Sequence, residues 1–224
     1  MNKLQEFFHN KKNKLLAYKW QHYFDIYDRH FSKFIGKNPV IVEIGVYEGG
    51  SLEMWNYYFD GQCSIYGIDI NPNCAIVPEK LNASNIHVWI GDQGNANFLE
   101  ELGKKIPPID ILIDDGGHFM NQQILTFEYL YKYIKDDGIY LCEDLHTSYM
   151  PNYGGGYKNK NSFIEYTKNF IDYINTYYLT DNDKIHQNIQ FRKSTDSIHY
   201  YDSVIVLEKK STTVPPTAIF YTGN

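Results

Sequence analysis

Between residues 39 and 144, five short apolar runs recur, each ending on a carboxylate or a glycine turn, with helix-like segments between them. The runs are 39–44, 64–70, 85–90, 109–113 and 139–142, and they are rich in Ile and Val. Continuous apolar runs of this length, alternating with amphipathic stretches, predict strands of a parallel sheet covered on both faces. The intervening helices are expected at 50–59, 95–105 and 119–134, the last stopped by Asp136-Asp137-Gly138. In such α/β sheets, ligands lie outside the carboxyl ends of the strands. The residues that follow each run are therefore the ones to inspect.

Two of these strand ends carry unusual chemistry. The fourth run is followed by Asp114-Asp115-Gly116-Gly117-His118, and the fifth by Glu143-Asp144-Leu145-His146. Carboxylates from two neighbouring strand tips repel one another unless a cation or protons intervene. This predicts a divalent-metal site with a histidine base, His118 or His146. All-oxygen ligation favours Mg2+ or Mn2+ over zinc. Of the other histidines, His22, His30, His87, His186 and His199 have no such constellation in the sequence.

The first strand leads into Glu43-Ile44-Gly45-Val46-Tyr47-Glu48-Gly49-Gly50-Ser51. Gly45 and Gly50 hold the outer positions of a dinucleotide-binding GxGxxG, but Tyr47 takes the middle glycine that lets backbone approach a pyrophosphate. The pattern predicts a nucleoside cofactor without phosphates and weighs against an NAD-dependent oxidoreductase or epimerase, as does the lack of a suitable Tyr-x-x-x-Lys pair. Asp69, ending the second strand, suits ribose hydroxyls, and Asp92-Gln93 after the third suits an adenine edge.

On these residues the chain resembles the class I S-adenosylmethionine-dependent methyltransferases, over roughly residues 39–209. The resemblance implies a Rossmann-like α/β fold. It has a seven-stranded sheet, mostly parallel with an antiparallel C-terminal strand pair, and helices on both faces. Glu43, Gly45, Ser51, Asp69, Asp92, Gln93 and Asp114 would then face S-adenosylmethionine. More specifically, Asp114-Asp115-Gly116-Gly117-His118 and the Glu143–Tyr149 stretch resemble the metal-dependent sugar O-methyltransferases of macrolide biosynthesis, the mycinamicin and macrocin type. That likeness implies Asp115, Glu143 and Asp144 as metal ligands and His118 as base. It leaves His146 as a second base, a substrate contact or a structural residue. It also implies that 19–23, with Tyr23, closes over the cofactor. The acceptor would be a sugar hydroxyl on a glycan, glycoside or nucleotide-sugar. A phenolic acceptor is the alternative within the same chemistry.

The rest of the chain is expected to serve this one domain. Residues 1–38 read as a helical cap, with Tyr23, Tyr27, Phe31 and Phe34 spaced 4, 4 and 3 as an apolar stripe. The aromatic face also suits a second copy, as in a homo-oligomer. Lys11, Lys12, Lys14 and Lys19 read as a solvated helix face. The core spans 39–210, interrupted at 147–161 (TSYMPNYGGGYKNKN), whose glycines and proline predict an irregular lid. Tyr149 and Tyr153 there suit stacking on a sugar. Ser162 with Glu165 predicts a capping box. Residues 188–193 and 200–209 are expected as antiparallel strands joined at Ser194-Thr195-Asp196-Ser197, with a tail from 211 to 224. A net charge of −6 gives no electrostatic reason for nucleic acid. No run approaches the ~18 apolar residues of a membrane span. Three cysteines without a CxxC pair and a start without an apolar leader fit the cytoplasm.

Overall fold

The computed structural model describes residues 1–10, 14–180, 182–212 and 214–219, with 182–187 described by backbone path alone. The chain opens with α1 (Lys3–His9) and α2 (Tyr23–Phe31), then alternates through β1 (Val40–Ile44), α3 (Gly50–Tyr58), β2 (Ser64–Asp69), α4 (Val77–Leu81), β3 (Ile86–Ile90), α5 (Ala96–Lys105), β4 (Ile109–Asp114), α6 (Met120–Leu130) and β5 (Ile134–Cys142). It closes with α7 (Phe163–Ile174), α8 (Asn182–Ser194), β6 (Thr195–Tyr201) and β7 (Val204–Lys209). The strands form one seven-stranded sheet in the order β3-β2-β1-β4-β5-β7-β6. All neighbours are parallel except β7, which runs antiparallel to both β5 and β6. The expected Rossmann-like sheet is therefore present.

The local signals act as their chemistry requires. Asn95 caps α5 by accepting from the Asn97 and Phe98 amides. Ser162 caps α7 through the Glu165 amide, but the Glu165 carboxylate pairs with Lys168 instead of completing a box. The central strands are buried on both faces. On one side, Tyr27 and Phe31 of α2 pack with Trp55 of α3 against Ile41, Ile111 and Leu141. On the other, Leu99, Phe127, Phe163 and Phe170 cover Val42, Leu112 and Tyr140.

Three further expectations fail, each for a physical reason. The N-terminal part is not one helical unit: α1 and α2 are separated by a stretch, 16–20, without regular structure, whose Lys19 side chain reaches carboxylates at the sheet end. Residues 188–193 are helical, not a strand. Phe191 anchors α8 between Tyr131 and Phe170, with ring centroids 6.0 and 5.0 Å away. The antiparallel pair is β6 with β7, and its tight turn is Asp202-Ser203, where Ser203 takes a φ of 63°. The Asp136-Asp137-Gly138 stop falls inside β5, as an irregularity that shifts the register between Ile109–Ile134 and Ile111–Ile139.

β1 and β4 are neighbours while β2 and β5 lie to either side. Their junction is the switch point where the crossovers diverge and a crevice opens. Register carries the chemistry to one place: Ile44 pairs with Asp114, and Asp114 with Cys142. Asp115 and Glu143 therefore emerge side by side.

Candidate active site

The turn after β1 fits tightly against the turn after β4. Gly45 has a φ of +96°, and a Cβ there would stand 1.9 Å from the Asp115 carbonyl oxygen. Only glycine allows that contact. Asp69 at the end of β2 holds the same turn, its Oδ2 accepting from the Val46 and Tyr47 amides at 2.9 Å each. Two adjoining cavities result. One, of about 330 Å³, is bordered by Asp69, Asp92, Gln93, Gly116 and Gln122. The other, of about 360 Å³, is bordered by Gly45, Ser51, Asp115, His118, Asp144 and the chain at 16–19.

Asp114 lies beneath the first cavity, 1% exposed. Its Oδ1 accepts from Gln93 Nε2 at 2.7 Å, and Gln93 Oε1 accepts from the Gly117 amide at 3.1 Å. Gln93 is thus a buried brace across two loops. Asp92, the other residue expected at the adenine, is exposed and closes its own turn onto Gly94. Burial pushes the Asp114 carboxyl up to about 7 despite these donors.

The acidic cluster is assembled around a lysine. The Lys19 side chain is 3% exposed, and its Nζ stands 2.5 Å from Asp115 Oδ2, 2.9 and 3.0 Å from the Glu143 oxygens and 3.6 Å from Glu43. It is therefore not part of a solvated face. Lys11 and Lys12 lie outside the described residues, as does the His186 side chain. Tyr27 donates its hydroxyl to Glu143 at 2.6 Å, Tyr23 to Asp144 at 2.7 Å and Ser51 to Glu43 at 2.8 Å. Burial raises Glu143, with repulsion from Asp115 adding to it and Lys19 opposing. Burial likewise raises Glu43 to about 7. For Lys19, burial alone would favour the neutral amine, but attraction to Asp115, Glu143 and Glu43 wins and holds it protonated.

His118 sits on the rim with a φ of 58°, its Nε2 3.4 Å from Asp144 Oδ2. Asp144 has a φ of 54°. Left-handed backbone at two non-glycine residues stores strain, of the kind that clusters at functional sites. Ligand atoms of Asp115, His118 and Asp144 all lie within 4.8 Å of one another. Glu143 is turned toward Lys19 and Tyr27 and stands outside that trio. His146 Nδ1 hydrogen-bonds Ser203 Oγ at 2.7 Å and lies 3.9 Å from Asp144. The 147–161 segment borders the site in two 3-10 turns, with the Tyr153 ring 6.4 Å from that of His118.

Tyr27 is not legible in the sequence as a site residue, because it lies within an apolar stripe. Lys19 falls in the 19–23 stretch that the resemblance brings over the cofactor, but its pairing with the carboxylates is not legible, because it also lies within a run of lysines. A surplus of carboxylates elsewhere that lacks a cation is the other signal for it.

No family model matches the chain. Among curated proteins it is 30% identical over 194 residues to the 8-demethyl-8-alpha-L-rhamnosyl tetracenomycin-C 2'-O-methyltransferase of Streptomyces olivaceus. That match takes in 83% of this chain and 49% of the relative. It is 36% identical over 137 residues to the mycinamicin VI 2''-O-methyltransferase of Micromonospora griseorubida, 58% of this chain and 33% of the relative. The chain thus spans about half, or less, of the length of the curated relatives it matches. The solved structure of MycE methyltransferase in complex with Mg, SAH and mycinamycin VI superimposes with a TM-score of 0.78 at 27% identity, over 94% of this chain and 54% of that one. The chain has the class I methyltransferase fold, and its homologues are sugar O-methyltransferases of macrolide and tetracenomycin pathways.

Proposed function

We propose that the protein is an S-adenosylmethionine-dependent, divalent-metal-dependent O-methyltransferase acting on a sugar hydroxyl of a glycosylated small molecule, with His118 as general base. The observation that carries this reading is the convergence of Asp115 and Asp144 on the His118 imidazole, within 4.8 Å, beside the Gly45 turn. The donor set fits a hard cation: carboxylate oxygens surround the place, and the Lys19 ammonium already stands between Asp115 and Glu143 as a positive charge. Asp115, Glu143 and Asp144 would hold Mg2+ or Mn2+. When bound, the ion supplies a Lewis acid that makes an acceptor hydroxyl more acidic.

The chain's own groups supply the rest. Asp69 and Gly45 shape the side of the crevice that suits ribose, and the unpartnered Asp114 Oδ2 and Gln122 Oε1 are buried acceptors suited to a cofactor's N–H groups. His118 takes the proton of the acceptor hydroxyl. As it leaves, the oxygen forms its bond to the methyl carbon while the sulfonium S–C bond breaks, releasing a thioether. Tyr23 and Tyr27 fix the carboxylates through their hydroxyls, so positioning provides much of the rate. The 147–161 segment, with Tyr153 beside His118, serves as the lid on the acceptor side. Relatives that methylate sugars already attached to an aglycone support a glycoside over a nucleotide-sugar.

The direct test is transfer of label from S-adenosylmethionine to a panel of glycosylated macrolides, glycosylated polyketides, nucleotide-sugars and catechols, with and without EDTA. Label on a glycoside, lost in EDTA and restored by Mg2+, is the expected result. Full transfer in EDTA removes the metal from the reading, and label on catechol alone replaces the acceptor class.

A further inference from the structure

Residues 14–20 have no regular structure, yet both ends are fastened. The Lys14 and Leu15 amides donate to the Glu53 carboxylate of α3, at 2.8 and 3.0 Å. The main chain next lies flat on Gly50, where an added Cβ would come 2.4 Å from the Leu16 carbonyl oxygen and 2.6 Å from the Ala17 nitrogen. At the far end the Trp20 ring meets His146 at 5.8 Å, and His22 Nε2 lies 3.1 Å from the Asp202 carbonyl oxygen. This strap forms one wall of the larger cavity. Between its fastenings, Lys19 sends its side chain down onto Asp115 and Glu143.

Those are two of the three carboxylates that the proposed function gives to the metal, so any role for Lys19 toward the ion rests on that reading. An ammonium and a divalent ion compete for these oxygens, since Asp115 Oδ2 and both Glu143 oxygens are already within hydrogen-bond reach of Nζ and two cations on the same carboxylates repel one another. Four carboxyl groups, Glu43, Asp115, Glu143 and Asp144, converge there around the single ammonium of Lys19. A doubly charged ion gains more from the same oxygens.

We propose that Lys19 is a built-in cation latch: it holds the 14–20 strap against the cavity by occupying Asp115 and Glu143, and a divalent ion binding those carboxylates expels the ammonium and loosens the strap. The ion then binds only the fraction of molecules in which Lys19 is out, and its apparent affinity falls by that fraction. The latch makes metal occupancy and access to the cavity a single event.

The test uses the full chain and Mn2+ as the probe, with binding followed by electron paramagnetic resonance and by calorimetry. Lys19→Met is expected to bind Mn2+ at least about tenfold more tightly than wild type, while Lys19→Arg, which keeps the charge, does not. Should Lys19→Met fail to fold, Lys19→Gln carries the same expectation. A second measurement needs no substitution: amide hydrogen exchange at 14–20 in the wild type should quicken when Mn2+ is added. Equal or weaker Mn2+ binding by the Met and Gln variants, or exchange at 14–20 unchanged or slowed by Mn2+, overturns the latch while leaving the metal in place. If no version of the protein binds Mn2+, the metal reading fails and takes the latch with it.

Discussion

The same residue types meet twice in this molecule. Asp115, His118 and Asp144 gather at the tips of β4 and β5, and His30, His199 and Glu208 gather where α2 crosses the β6–β7 hairpin. In the second group the hydrogen bonds close on themselves. His30 Nδ1 lies 2.6 Å from Glu208 and its Nε2 2.8 Å from the Tyr201 hydroxyl, while His199 Nε2 meets Ser197 at 2.9 Å. The first group and the crevice beside it are open: His118 Nδ1, and next to it Asp114 Oδ2 and Gln122 Oε1, are buried without a hydrogen-bond partner among the described residues. Unpaired buried polar atoms are costly, so a fold that keeps several in one crevice keeps them for something that binds there. A closed network belongs to the architecture; an open one belongs to a ligand.

That contrast can be broken by experiment. The largest effect expected is on His118→Ala, which should lower methyl transfer by about 10²- to 10⁴-fold while leaving cofactor affinity and thermal stability near wild type. Rates on the acceptor found by the panel, with calorimetry for the cofactor, check it. Transfer within threefold of wild type would make His118 another closed-network histidine. Gly45→Ala should cost at least about 2 kcal/mol, from positive φ and from the collision with the Asp115 carbonyl, read as a lower urea midpoint. Glu208→Gln should show the reverse pattern to His118→Ala: a loss of about 1–2 kcal/mol in stability with transfer rates unchanged. A large loss of transfer would place the hairpin cluster in the chemistry.

The smallest effect is a pH dependence. Burial lowers His30 below its usual 6.5, outweighing the pull of Glu208. Burial pushes Glu208 the other way, but the His30 hydrogen bond and Lys33 overcome it and lower its carboxyl. A histidine with a depressed folded value is favoured neutral by the fold. Its contribution is present above pH 6.5 and lost as pH falls through the folded value, and the lowered Glu208 acts in the same direction at more acidic pH. Between pH 7.5 and 5.5 the wild type should therefore lose denaturation midpoint relative to His30→Asn, while protonation of Glu43 and Asp114, both pushed up to about 7, works the other way in both proteins.

Much of the sheet and part of the site are legible in the sequence. Strand ends at Asp69, Asp114 and Glu143 follow from apolar runs whose length and β-branching leave few alternatives. The clustering of Asp115 with Asp144 follows from parallel register once those runs are neighbours. Pairings across long separations are not legible. Nothing near Lys19 in the chain announces Glu143, 124 residues on. The bracing role of Gln93 is not legible either, because its partners Asp114, Thr126 and Gly117 lie more than 20 residues away in the chain. The 188–193 stretch reads wrongly as a strand because Phe191 and Ile189 suit a strand as well as a helix, and only the aromatic cluster on α7 decides.

The position of β7 carries a cost during synthesis. Its core, Val204 to Leu207, is fully enclosed between β5 and β6, although it is made after the other six strands of the sheet. Until it leaves the ribosome, β5 presents Ile139 to Cys142 as a bare, apolar, hydrogen-bonding edge, the kind of template on which nascent chains stick to one another. A stop codon anywhere before residue 204 should therefore yield aggregate instead of a smaller soluble domain, however complete the carboxylate cluster already is.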